Sequence, residues 1–258
     1  MSSPPADLQV EPITNENDFP EAYATISTAF GTQLHDAIWI HAARLAKNWR
    51  SITTDRFGRP NAVFLKATLP DPDQTSPEGE VLAKNSGIEQ REEAKRRRIV
   101  GIAIWVQASD IQGYGESPSS NLPRPEYLEE IYPGDERSQR FVGQVWLALL
   151  SRRIKYVQEK GRQPHPNILA LDLCATHPSF QRRGVAAALV QWGLDETKRR
   201  NIDELCTEAS GMGRGVYAKI GFQARGGDFE YEEVDAEFKG GGEGKVKLPP
   251  NVFMLYRL

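Results

Sequence analysis

The chain has few cysteines, no long apolar run and no marked excess of charge of either sign. Its 258 residues contain two cysteines, Cys174 and Cys206, too few for a disulfide framework. No Cys/His spacing resembles a structural zinc site, so two reduced core thiols and no metal are expected. The longest strongly apolar stretch, Ile99 to Val106, has eight residues, against the roughly 17–25 that a membrane-spanning helix needs. No membrane partner is expected. Lys plus Arg number 32 against 35 Asp plus Glu, a formal charge of −3. That balance lacks the uncompensated basic surface with which general nucleic-acid binders displace counterions. The opening MSSPPADLQV has neither the basic start nor the apolar core of a secretory leader, which points to a cytoplasmic setting. The phosphate-binding pattern GxxxxGK[ST] is missing, and Gly211, Gly213 and Gly215 fail the dinucleotide fingerprint because position 216 is Val.

What is present is an ordinary globular composition with considerable loop content: 39% hydrophobic, 26% charged, 17 Pro and 22 Gly. Single cores stop growing near ~250–300 residues, so one domain over residues 1–258 is expected, with loop insertions at 70–98, 110–136 and 239–250. Lys95 to Arg98, in the first insertion, reads as a solvated edge, with a nuclear address as the alternative.

Hydrophobic spacing predicts a strand over 8–13, a helix from a capping-box-like Asp18/Glu21 to Phe30, and a second helix over 34–50. Strands follow at 61–69 and 99–108. A long stripe at Val142, Val145, Trp146, Leu149, Leu150, Ile154 and Val157 marks a helix closed by Gly161 and Pro164. A βαβ unit then takes a strand over 168–176, a helix over 186–200 and a strand over 204–210. A short helix near 214–220, a strand starting at Phe222 or spanning 229–234, and a closing strand over 252–258 complete the chain. Gly240, Gly241, Gly242 and Gly244 read as a hairpin loop.

The most informative stretch is Thr176 to Val190, THPSFQRRGVAAALV, where a strand ends, a polar turn follows and a small-residue helix begins. The first N–H groups of a helix lack intrahelical acceptors and its dipole is positive there, so main chain can hold phosphate oxygens. Gly184 removes a Cβ that would block close approach, and Arg182 and Arg183 add positive charge. Spacing leaves open the plainer reading of a surface helix start.

Gln181-Arg182-Arg183-Gly184-Val185-Ala186 resembles the Q/R-x-x-G-x-G/A acyl-CoA signature of the GNAT superfamily of N-acetyltransferases. His177-Pro178 resembles its lead-in, and Tyr217-Ala218-Lys219-Ile220-Gly221-Phe222 resembles its second motif, Y-x-K-x-G-F. The segment Leu171 to Phe222 is especially similar to fungal small-molecule-type members. The resemblance implies an α/β (α+β) fold: a mixed, mainly antiparallel sheet, helices on both faces, and a splayed pair of central strands that admits acetyl-CoA as co-substrate.

On that resemblance, main-chain groups of Cys174, Ala175 and Thr176 would pair with the pantetheine arm, and Gln181, Arg182, Arg183, Gly184, Val185 and Ala186 would hold the pyrophosphate. Ser210 stands where the family often has Asn. Tyr217 would give the departing thiolate its proton. Strand alternation sets Ala170, Asp172, Cys174 and Thr176 opposite Leu169, Leu171, Leu173 and Ala175. Asp172 is thus a carboxylate in an apolar strand, and Glu208 has a like place in the next one, so either is a candidate base. Phe30, Trp105, Phe229 and Tyr231, with Gln107, would line the acceptor pocket. The expected activity is direct acetyl transfer to a small-molecule amine by a monomer or homodimer. A peptide acetyltransferase and a non-catalytic CoA-binding regulator are the alternatives.

Overall fold

The computed structural model describes residues 3–30, 42–71, 97–240 and 247–258. Residues 31–35, expected to line the acceptor pocket together with Phe30 as the turn between the first two helices, lie outside them, as do the start of the second expected helix, most of the 70–98 insertion and three of the four clustered glycines.

One seven-stranded sheet organises the chain in the order β1-β2-β3-β4-β5-β7-β6. The strands are β1 (Gln9–Pro12), β2 (Ala62–Pro70), β3 (Arg97–Ala108), β4 (Ile168–Thr176), β5 (Glu204–Ala209), β6 (Gln223–Ala224) and β7 (Val252–Arg257). All neighbours are antiparallel except β4 and β5. That parallel pair is joined by a helical crossover, as a parallel connection requires. The helices are α1 (Phe19–Phe30), α2 (Ala42–Arg50), α3 (Pro125–Ile131), α4 (Glu136–Lys160), α5 (Val185–Arg200) and α6 (Arg214–Ile220).

Two faces result. Val185, Leu189, Val190 and Leu194 of α5 and Tyr217 of α6 close one face over Leu65, Ala103, Trp105 and Leu171. On the other, α1 and α2 cover Phe64, Ile102, Ile104 and Leu173, and α4 covers Ala170, Cys206, Phe253 and Leu255. The close approach of α5 depends on glycine twice. A Cβ on Gly101 would sit 2.7 Å from Val185 Cγ1, and one on Gly193 would sit 2.2 Å from Trp105 Cζ2.

Over the described residues the predicted elements hold, with two corrections. The expected strand over 229–234 is irregular chain, and the late strand is the two-residue β6. The apolar residues of 229–234 pack into the α4 face rather than alternate across a sheet. The 110–136 insertion also contains α3, whose Pro125 occupies the first helical turn, where a missing N–H is no loss.

Candidate functional site

The site begins where β4 and β5 part. Their ladder runs from Leu169/Leu205 to Leu171/Thr207 and stops, although β4 continues to Thr176. On its other edge β4 pairs Leu171 with Trp105 and Leu173 with Ile104, leaving Asp172 as an extra residue. Such a bulge bends a strand and re-aims its side chains. It also changes the phase of the strand, which corrects the simple alternation. Cys174 packs with Leu169 and Leu171 on the α5 face, while Leu173 and Ala175 pack with α1 and α2. Beyond the bulge, the β4 edge facing β5 is open from Asp172 to Thr176.

That open edge leads to the start of α5. Gln181 is tethered there, its Nε2 donating to Thr176 O at 3.2 Å. Arg182 and Gly184 both take left-handed conformations, φ 65° and 80°, and Gly184 is the N-cap of α5 with no side-chain capping bond. The first N–H groups of α5 are therefore left to a ligand or solvent, with exposed Arg182 and Arg183 beside them. Thr176 Oγ1 is buried without a hydrogen-bond partner among the described residues. A ligand with polar groups along the β4 edge and an anionic group at the helix start fits this cradle. Ser210 is engaged locally, its Oγ accepting from Gly213 N at 3.2 Å.

Tyr217 of α6 closes the slot from the side. It is 7% exposed, and its hydroxyl adjoins the Cys174 thiol. Its ring packs on Phe222 at 5.9 Å, while Gly213 lies so close that a Cβ there would be 2.7 Å from the ring. Gly221, at φ 118°, ends α6 by donating to Tyr217 O and Ala218 O. The Tyr-to-Phe motif is thus a device for fixing one phenol. Burial, with the adjacent Cys174, pushes that phenol well above its usual value, and burial pushes the Cys174 thiol up to about 12. Both stay protonated near neutrality.

On the α4 face, the two residues just past the last ladder pair carry the candidate carboxylates. Arg153 of α4 joins them: its Nε donates to Glu208 Oε1 at 3.0 Å, its Nη2 to Glu208 Oε2 and its Nη1 to Asp172 Oδ1. Its side chain is 2% exposed. Burial pulls the guanidinium down, but Glu208 and Asp172 outweigh it and hold the charge firmly. Glu208 has both oxygens occupied by Arg153. Asp172 keeps Oδ2 without a partner among the described residues. The α4 stripe did not reveal Arg153, because a cation at a buried helical position looks like a break in the stripe. His177 is a local cap, its Nδ1 accepting from Ser179 N at 3.3 Å, and burial and the charge of Arg98 push its imidazole below the usual value.

Beside Asp172 lies a cleft of about 300 Å³ between α2, β2, β3, the 116–127 segment and α4. Trp146, Tyr127, Phe64 and Ile104 give it an apolar body, and Glu116, Arg124 and Asp172 give it charge. Of the four acceptor residues expected from sequence, Trp105, Phe229 and Tyr231 do not line this cleft. Trp105 is fully buried against α5 on the opposite face, its Nε1 donating to Leu189 O at 3.4 Å. Phe229 and Tyr231 are buried beside α4, with Arg152 over the Phe229 ring at 4.4 Å and the Tyr231 hydroxyl donating to Pro249 O at 2.8 Å. Phe30 is half-buried at the end of α1. Gln107 is buried and donates to Tyr114 O. Trp146 was legible only as one more member of the α4 stripe.

Residues 153–236 match the sequence model of the acetyltransferase (GNAT) domain. No curated protein matches the chain. Among solved structures, arylalkylamine N-acetyltransferase 2 from Aedes aegypti is similar with a TM-score of 0.56 and 17% identity, over 97% of this chain and 99% of that one. Mosquito arylalkylamine N-acetyltransferase like 5b gives 0.51 and 11%, over 97% of this chain and 100% of that one. At these identities the likeness is one of fold, and the fold is the GNAT fold.

Proposed function

With a GNAT acetyltransferase domain as the premise, we propose that this chain is an acetyl-CoA-dependent N-acetyltransferase that acetylates the amine of a small molecule directly, in a ternary complex. The observation that carries the reading is the β4 edge, open from Asp172 to the Thr176 hydroxyl and leading to the uncapped start of α5, with the Tyr217 phenol at its side.

Acetyl-CoA supplies an activated acetyl group and a thiolate leaving group. Main chain of Cys174, Ala175 and Thr176 lines the arm of the cofactor, and the 181–186 turn takes its pyrophosphate. Tyr217 holds a proton at Oη for the leaving sulfur, and its raised pKa keeps that proton in place. Asp172 lines the acceptor cleft, and its Oδ2 is free to take the proton released by the attacking amine, directly or through water. Glu208 serves Arg153 and is not the base. The Cys174 thiol, held protonated, is a poor nucleophile, which favours direct transfer over an acyl-enzyme.

The size of the cleft supports a compact acceptor, since small-molecule sites run from roughly 300 to 1,000 Å³. The test is a thermal shift with acetyl-CoA, followed by release of free CoA thiol with a panel of small primary amines and of peptides. Turnover with small amines is expected. Turnover confined to peptides would replace the acceptor class, and a shift without turnover would make the chain a CoA-binding regulator.

A further inference from the structure

A second cleft, of about 350 Å³, lies at the opposite end of α5, between the 55–59 turn, Tyr114, the 164–167 segment and residues 199–201. With about 1.5 Å of rise per residue, the 16 residues of α5 put it roughly 24 Å from the phosphate turn. Arg56, Arg59, Arg199 and Arg200 line it. Two carboxylates answer them: Asp55, paired with Arg59, and Glu196, paired with Arg199 and Arg200. The walls therefore carry an excess of two positive charges.

Capping of the α5 C-terminus explains part of this cluster. Arg59 Nη1 donates to Arg200 O at 3.4 Å, and Arg200 Nη1 donates to Pro60 O and Gln107 Oε1 at 2.8 and 2.9 Å. It does not explain Arg56, whose guanidinium has no hydrogen bond or ion pair among the described residues. That group lies 4.0 Å from the Tyr114 ring centroid and 4.7 Å from that of Phe57. Its backbone is fixed as well, with Arg56 N donating to Gly113 O at 2.8 Å. Asp55 meanwhile is consumed by the turn, accepting from Phe57 N, Arg59 N and Arg59 Nε. It cannot serve as the counter-charge to Arg56. Arg200, 6% exposed, has no partner for Nη2 among the described residues. Burial and the charge of Arg59 hold its guanidinium down, to about 10, as expected where positive charge is under-compensated.

We propose that this cleft binds a small polyanion of the phosphate class at a site separate from the acetyl-CoA slot. Guanidinium forks match phosphate oxygens in pairs, and the aromatic packing holds Arg56 in place before the ligand arrives. The test titrates inorganic pyrophosphate calorimetrically into the full-length protein, first alone and then saturated with CoA, using wild type and the double variant Arg56→Gln/Arg199→Gln. Both side chains are exposed, so the variant is expected to fold, and its CoA affinity should equal that of wild type. Pyrophosphate should still bind the CoA-saturated protein, and the double variant should bind it at least tenfold more weakly. No binding to CoA-saturated protein, or equal binding by the double variant, would overturn the proposal. Failure of CoA itself to bind would count against the acetyltransferase reading instead, and the comparison of wild type with variant would still decide this one.

Discussion

The two faces of the sheet meet where β4 and β5 separate, and they are built by different means. On the α5 face the chain offers main chain: an open strand edge, a left-handed glycine and the unpaired start of a helix, with the buried Tyr217 phenol beside them. On the α4 face the cleft is lined by side chains gathered from α2, β2, β3, the 116–127 segment and α4, with Arg153 clamping two carboxylates at the fork. A main-chain site tolerates little variation in backbone angle and bulk, so it suits a co-substrate that does not change. A side-chain cleft can be rebuilt without disturbing the sheet, so it suits an acceptor that does. On the proposed function, the co-substrate would be held by main chain and the acceptor by side chains.

The contrast can be broken most severely at Arg153. Arg153→Met leaves Asp172 and Glu208 facing each other with no counter-charge and should cost about 3–5 kcal/mol in a urea titration. The triple variant Arg153→Met/Asp172→Asn/Glu208→Gln removes the stranded charges and should recover much of that loss. If the single variant is as stable as wild type, the clamp is not what closes the fork. On the α5 face, Gly193→Ala drives a Cβ toward the Trp105 ring and should cost about 1–3 kcal/mol by overpacking.

Next in size, Gly184→Asp puts a carboxylate and a strained left-handed residue at the helix start, the strain worth about 1–2 kcal/mol. Its affinity for acetyl-CoA should fall at least about tenfold, while Gly184→Asn, without the charge, should lose less. Equal affinities would remove the turn from the phosphate site. The smallest effect expected is none at all. The Tyr217 pKa is raised, so its proton is lost only as pH rises past the usual phenol value near 10. The turnover profile should therefore show no alkaline fall from this group below about pH 10.

The same contrast explains what was legible in the sequence. The proposed phosphate turn occupies six consecutive residues because a helix start is local, and the Tyr217 motif spans one short helix and its glycine stop. Both are short enough in sequence for the family resemblance to carry them. The stripe of α4 and the apolar runs of β3 and β4 marked individual elements, while their arrangement into one mainly antiparallel sheet came from the resemblance. Asp172 was noticed as a carboxylate in an apolar strand, but its partner sits 19 residues away on another element, and the bulge that re-aims its neighbours leaves no mark in hydrophobic pattern. Trp105 was misplaced for the same kind of reason. An aromatic residue in a central strand looks alike whichever face it takes, and only the approach of Gly193 decides the face.

The most direct measurement is release of CoA thiol from acetyl-CoA, with a responsive small primary amine at saturation, by wild type and Tyr217→Phe. If Tyr217 protonates the leaving sulfur, the variant should lose roughly 100-fold in kcat while its KM for acetyl-CoA stays near that of wild type. Equal kcat values, or acetyl-CoA binding with no thiol release by wild type on any amine or peptide, would contradict the account.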